Sequence, residues 1–82
     1  MKDLKQKFGD LGTDAGLKKL DEFLSDRSYL ANRSFEPTTV DVNAFKMIEN
    51  ELKLENFENV ARWWRNIKSY KGNFDKMREG KL

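Results

Sequence analysis

The stretch NVARWWRNIKSY, residues 59–70, decides how this chain is read. On a helical wheel Val60, Trp63, Ile67 and Tyr70 fall on one seam, at i, i+3, i+7 and i+10. Phe57, Ala61 and Trp64 form a second seam beside it, and together the two cover about half the wheel. Arg62, Arg65 and Ser69 share the remaining face with Glu58. A helix this apolar sits among other helices, or meets a partner as well as its own core. The segment is therefore expected to run from about Phe57 to Lys71, with Gly72 as the stop signal. Its indoles belong inside, and Arg62 and Arg65 face outward.

Working toward the N-terminus, a second helix begins at Pro37-Thr38-Thr39-Val40-Asp41. Thr38 and Asp41 have the spacing of a capping box, in which each side chain satisfies the other residue's free backbone N–H. Asp41 also falls in the apolar arc with Ala44, Phe45, Ile48 and Leu52. A carboxylate there is costly without hydrogen bonds, so Asp41 reads as a buried structural acid. An earlier helix follows GTDAG, with Thr13 as N-cap and Asp14 in the first turn. Its stripe is Leu17, Leu20, Phe23 and Leu24. Leu4 and Phe8 could form a short leading turn or helix, and NFDKMREG a final turn or short helix through Phe74 and Met77. The connection SDRSYLANRSFEP is long, and Tyr29 and Leu30 are its expected anchors. Nothing alternates with a strand's period over more than a few residues. The fold class is thus all-α, in one compact domain of four to five helices.

Composition excludes much. Eighty-two residues allow one domain, which buries only about 60–65% of its unfolded surface. The chain has no cysteine and no histidine, which removes disulfides, thiolate metal sites and the commonest general base. Acid pairs such as Glu49 with Glu51, or Asp21 with Glu22, lie on polar arcs and read as solvated surface. Gly9, Gly12 and Gly16 are too loosely spaced for a phosphate cradle. Catalytic, cofactor-binding and metal-binding residues are accordingly expected to be none. No apolar leader or membrane-length run is visible, so a soluble, cytoplasmic protein with no membrane partner is expected.

Charge is uneven along the chain. Residues 1–59 carry nine Lys and Arg against twelve Asp and Glu; residues 60–82 carry seven against two. A basic end can attract nucleic acid or an acidic protein. Direct nucleic-acid contact is disfavoured, because the aromatics needed for stacking point away from the Arg face. Partner binding through Arg62, Arg65 and the second-seam Trp64 is the stronger expectation.

These residues also resemble a family. FGDL (residues 8–11), AGL (15–17), DRSYL (26–30), PTTVDV (37–42), ARW (61–63) and NIKSY (66–70) occur in an order similar to that of the N-terminal domain of translation elongation factor 1-beta. That domain is similar in turn to the helical C-terminal half of glutathione transferases. The resemblance covers roughly residues 7–71. The chain departs from it at Asn32, Arg33 and Ser34, where a glycine is usual, and at Asn66, often histidine.

The resemblance implies a non-catalytic interaction domain within the elongation factor 1 guanine-nucleotide exchange complex. The implied partner is the transferase-like N-terminal domain of elongation factor 1-gamma. Elongation factor 1-alpha would be reached only through a C-terminal exchange domain absent from this chain. In similar domains of the multi-synthetase complex the arginine of the Arg-Trp pair lies between two domains; here that is Arg62. Alternatives are a scaffold domain of an aminoacyl-tRNA synthetase complex and a small RNA-binding accessory domain.

Overall fold

The computed structural model describes residues 2–31, 35–48 and 51–80. Asn32, Arg33, Ser34 and Glu49, singled out above, lie outside them. Four α-helices follow in order: α1 (Lys2–Phe8), α2 (Asp14–Phe23), α3 (Thr39–Met47) and α4 (Glu58–Lys68). Short 3-10 turns occupy Leu24–Asp26, Glu51–Leu54 and Lys71–Lys76. Among the described residues there is no strand, only a single parallel bridge between Thr38 and Arg78. The all-α expectation holds.

Helix α4 is the centre of the packing. It lies against α2, α3 and the turns Leu24–Asp26 and Glu51–Leu54, while α1 packs on α2. Val60, Trp63 and Ile67 are buried, as are Leu17, Leu20 and Leu24 from α2 and its extension. Leu4, Phe8 and Leu11 join the same core, so the leading helix is integral rather than a loose lead-in.

The N-termini follow their local chemistry. Thr13 Oγ1 accepts from Gly16 N–H at 3.3 Å, capping α2, with Asp14 in its first turn. Gly16 is required at this point. A Cβ there would run into the backbone carbonyl of Asp10, whose carbon would be 2.7 Å away. The loop before α2 therefore sits flat on the helix's first turn.

Two expectations need correction. Helix α3 ends at Met47, where Ile48 turns extended (φ −101°, ψ 103°), so Leu52 leaves the apolar arc and is 78% exposed; Leu54 is buried instead. Helix α4 ends at Lys68, and Tyr70 lies beyond it, half-buried rather than on the core seam. The long connection is anchored as expected by Leu30, fully buried, with Tyr29 packed against the core.

Candidate interaction face and its supporting polar network

Helix α4 positions both the interior and the outward face. Trp63 fills the core, and its Nε1–H donates to Asp41 Oδ1 at 2.7 Å. The same oxygen accepts from Leu30 N–H at 3.0 Å. Asp41 Oδ2 takes the Thr38 N–H at 3.0 Å and the Thr38 hydroxyl at 3.4 Å. Thr38 Oγ1 accepts in turn from Val40 N–H at 3.3 Å and from the Asp41 backbone N–H, the bond that completes the capping box. One buried carboxylate thus ties α3, the Leu30 segment and α4 together. Its lone pairs are occupied, which offsets the cost of burying the charge.

The N-terminus of α4 is capped from another helix. Phe57 at the N-cap position offers no side-chain acceptor. Asp21 Oδ1 on α2 accepts from Asn59 N–H at 2.9 Å and Val60 N–H at 3.1 Å, and the Asn59 amide donates to the Asp21 carbonyl. Asp21 is therefore a half-buried tertiary cap, not the solvated acid expected. No local spacing signals it, because cap and helix are far apart in sequence.

Arg62 is exposed on α4, as the wheel requires, but it is engaged by its own chain. Its Nη2 donates to the carbonyls of Leu24 at 2.8 Å and Arg27 at 3.2 Å, and Nη1 donates to Asn59 Oδ1 at 3.2 Å. These carbonyls lie at the 3-10 extension of α2 and just past it, where backbone acceptors are incompletely satisfied and Leu24 O takes only a long bond from Arg27 N–H at 3.5 Å. A guanidinium there satisfies the acceptors and complements the negative helix end. Arg62 thus faces outward, as expected, while also bracing the end of α2.

Arg65 stands out further. Its side chain is 66% exposed, and Nε donates to Glu51 Oε2 at 3.2 Å. Lys68 Nζ lies 3.8 Å from Glu51 Oε1, on the same side of the helix. Exposed pairs of this kind hold side chains loosely and contribute little stability. They leave both cations available to a competing carboxylate.

Trp64 does not present an indole to solvent. Its residue exposure is 7%, and its ring stacks on Phe45 with centroids 4.8 Å apart, with Lys68 Nζ 5.2 Å from the Trp64 ring. Phe45 also meets Phe74 edge-on at 5.5 Å. The second-seam position of Trp64 is closed by aromatic packing within the chain. Its buried Nε1–H has no acceptor among the described residues.

Beyond α4, Tyr29 accepts from the Asn66 amide at 3.4 Å and interacts with Tyr70. Repulsion from the Tyr29 phenol, then its hydrogen bond, hold the Tyr70 hydroxyl above its ordinary pKa of 10.0. The final segment returns to α3, with Thr39 N–H donating to Arg78 O at 2.8 Å and Arg78 pairing with Glu36 at 3.0 Å. Gly80 touches Thr38 and Ala31 so closely that a Cβ would overlap both. Sequence reading missed this strap, whose only signal was a glycine after an ionic run.

Among the described residues no group of acidic side chains could hold a metal ion, and no helix is long and apolar enough to cross a membrane.

No family model matches the chain. It is 36% identical over 76 residues to elongation factor 1-beta of Dictyostelium discoideum, a match covering 88% of this chain and 34% of that protein. It is 40% identical over 63 residues to the probable elongation factor 1-beta of Drosophila melanogaster, covering 77% and 27%. Against elongation factor 1-beta of Xenopus tropicalis the identity is 41% over 63 residues, covering 77% and 26%. The chain thus spans about a third or less of the length of these relatives. Similarity at this level over most of its residues supports the kinship of this chain with the elongation factor 1-beta family.

Proposed function

We propose that this helical domain is the docking module of an elongation factor 1-beta-type chain within the elongation factor 1 complex, and that it works in the cytoplasm. Its partner is the transferase-like N-terminal domain of elongation factor 1-gamma. The domain itself performs no chemistry; guanine-nucleotide exchange on elongation factor 1-alpha belongs to a part of the relatives that this chain does not span.

The observation that carries the reading is the identity to elongation factor 1-beta over most of the chain. The outward face of α4 supports it physically. Arg65 and Lys68 are exposed and held only by a surface pair, and Arg62 lies on the same helix with its guanidinium pre-oriented by two carbonyls. Arginine in this setting is a frequent interface anchor, and pre-orientation lowers the entropy lost on docking. Trp64 contributes from beneath, by fixing Lys68 and the helix surface rather than by direct contact. Co-elution of the domain with the gamma N-terminal domain in size-exclusion chromatography tests the assignment. Two separate peaks at micromolar concentration of each would refute it.

A further inference from the structure

A second surface lies between α1 and α2 and includes no residue of α4. Phe23, the last residue of α2, is half-buried with its ring edge-on to the buried Phe8, centroids 5.2 Å apart. Lys7 Nζ lies 4.9 Å from the Phe23 centroid and Arg27 Cζ 3.9 Å. A groove of about 360 Å³ opens here, lined by Lys7, Phe8, Lys19, Glu22 and Phe23. Lys7 and Lys19 are exposed and form no ion pair among the described residues. Arg27 meets Asp26 at only 3.7 Å, with Asp26 82% exposed, a contact of little strength.

We infer that this groove docks a short acidic segment of a partner protein, one apolar side chain lying against Phe8 and Phe23 between carboxylates that meet Lys7 and Lys19. Charge complementarity is the reason: Lys7 and Lys19 line the groove, Arg27 stands over the Phe23 ring beside it, and among the described residues Glu22 is the one acid in the lining. The aromatic floor supplies apolar contact, and the lysines supply orientation and attraction. The site is also pre-organised. Arg62 fixes the Arg27 carbonyl at 3.2 Å, which holds the backbone that carries the guanidinium over Phe23.

A nucleic-acid backbone fits less well. It needs a continuous cationic track, whereas Glu22 lines the groove and Asp26 stands beside it. A peptide can place its carboxylates away from both. The groove's lining residues lie off α4, so the domain would join two partner segments, with Arg62 bracing both surfaces.

The test uses the whole chain, isotopically labelled, titrated with the acetylated peptide Glu-Glu-Leu-Phe-Glu-Glu and followed by amide chemical shifts. The expected result is saturable binding with shifts centred on Lys7, Lys19, Phe23 and Arg27. Lys7→Glu with Lys19→Glu should weaken it about fivefold or more without lowering the melting temperature, and the all-Gln peptide should bind weaker by a similar factor. Both lysines are exposed, so folding should survive these changes. Shifts centred on Arg65–Arg78, equal binding of the Gln peptide, or no saturable binding would overturn the proposal. So would displacement of the peptide from the groove by an equally tight single-stranded RNA oligomer.

Discussion

Trp63 and Asp41 are joined inside the core by a 2.7 Å hydrogen bond from the indole N–H to a carboxylate with no solvent exposure. The bond links the central helix to the cap of its neighbour, so packing and capping depend on one another. Asp41→Ala would strand the Trp63 Nε1–H and the Leu30 and Thr38 amides together. Each unsatisfied buried donor costs ~1–3 kcal/mol, and the expected loss is about 3 kcal/mol or more. Urea unfolding checks this, with Thr38→Ala expected to cost only about 1 kcal/mol as a loss of the cap hydroxyl.

Asp21→Ala should cost about 1–2 kcal/mol, the range for removing an N-cap. The amides of Asn59 and Val60 would lose their shared acceptor. Hydrogen exchange at those two amides should rise first, and an unchanged exchange pattern would contradict the tertiary cap.

Gly16→Ala should destabilise by about 1–3 kcal/mol, as overpacking against backbone does, because the obstructing Asp10 carbonyl cannot swing aside like a side-chain tip. A thermal melt suffices to measure it.

Tyr70 provides a pH-dependent signal. Its phenol is held above 10.0 chiefly by Tyr29, so the folded chain favours the neutral form. This contribution is fully present below the unfolded pKa and is lost as pH rises through the raised folded value. With Tyr29→Phe a single tyrosine remains, and its ultraviolet titration midpoint should fall back toward 10.0. A midpoint unchanged by the substitution would remove Tyr29 as the cause.

Features set by neighbouring residues were legible in the sequence. Thr13 as a cap, the Thr38–Asp41 box and the Val60–Trp63–Ile67 seam each depend on spacings within one helix, which periodicity and hydrogen-bonding capacity reveal directly. Asp21 was misread, and the contacts of the outward-facing Arg62 went unseen, because their partners lie on other elements. A wheel places them on a polar face but is silent about which orphaned amide or carbonyl the fold brings there. Leu52 was misplaced for a related reason: nothing in its apolar character marks the extended turn at Ile48 that ends α3. Trp64 was expected to be shared because the two seams cover about half the wheel, and the stacking of Phe45 on it, with Phe74 against Phe45, emerges only in three dimensions.

Arg62→Ala is a poor probe of docking, since it also unties the carbonyls of Leu24 and Arg27 and should cost about 1–2 kcal/mol of stability. Arg65 is the cleaner probe, because among the described residues its one partner is the half-exposed Glu51. The direct measurement is the calorimetric affinity of the gamma N-terminal domain for the parent chain and for Arg65→Glu. The predicted result is a loss of about 1–3 kcal/mol of binding, roughly tenfold or more in Kd, with the melting temperature nearly unchanged. Equal affinity for the two chains would contradict a docking face on α4.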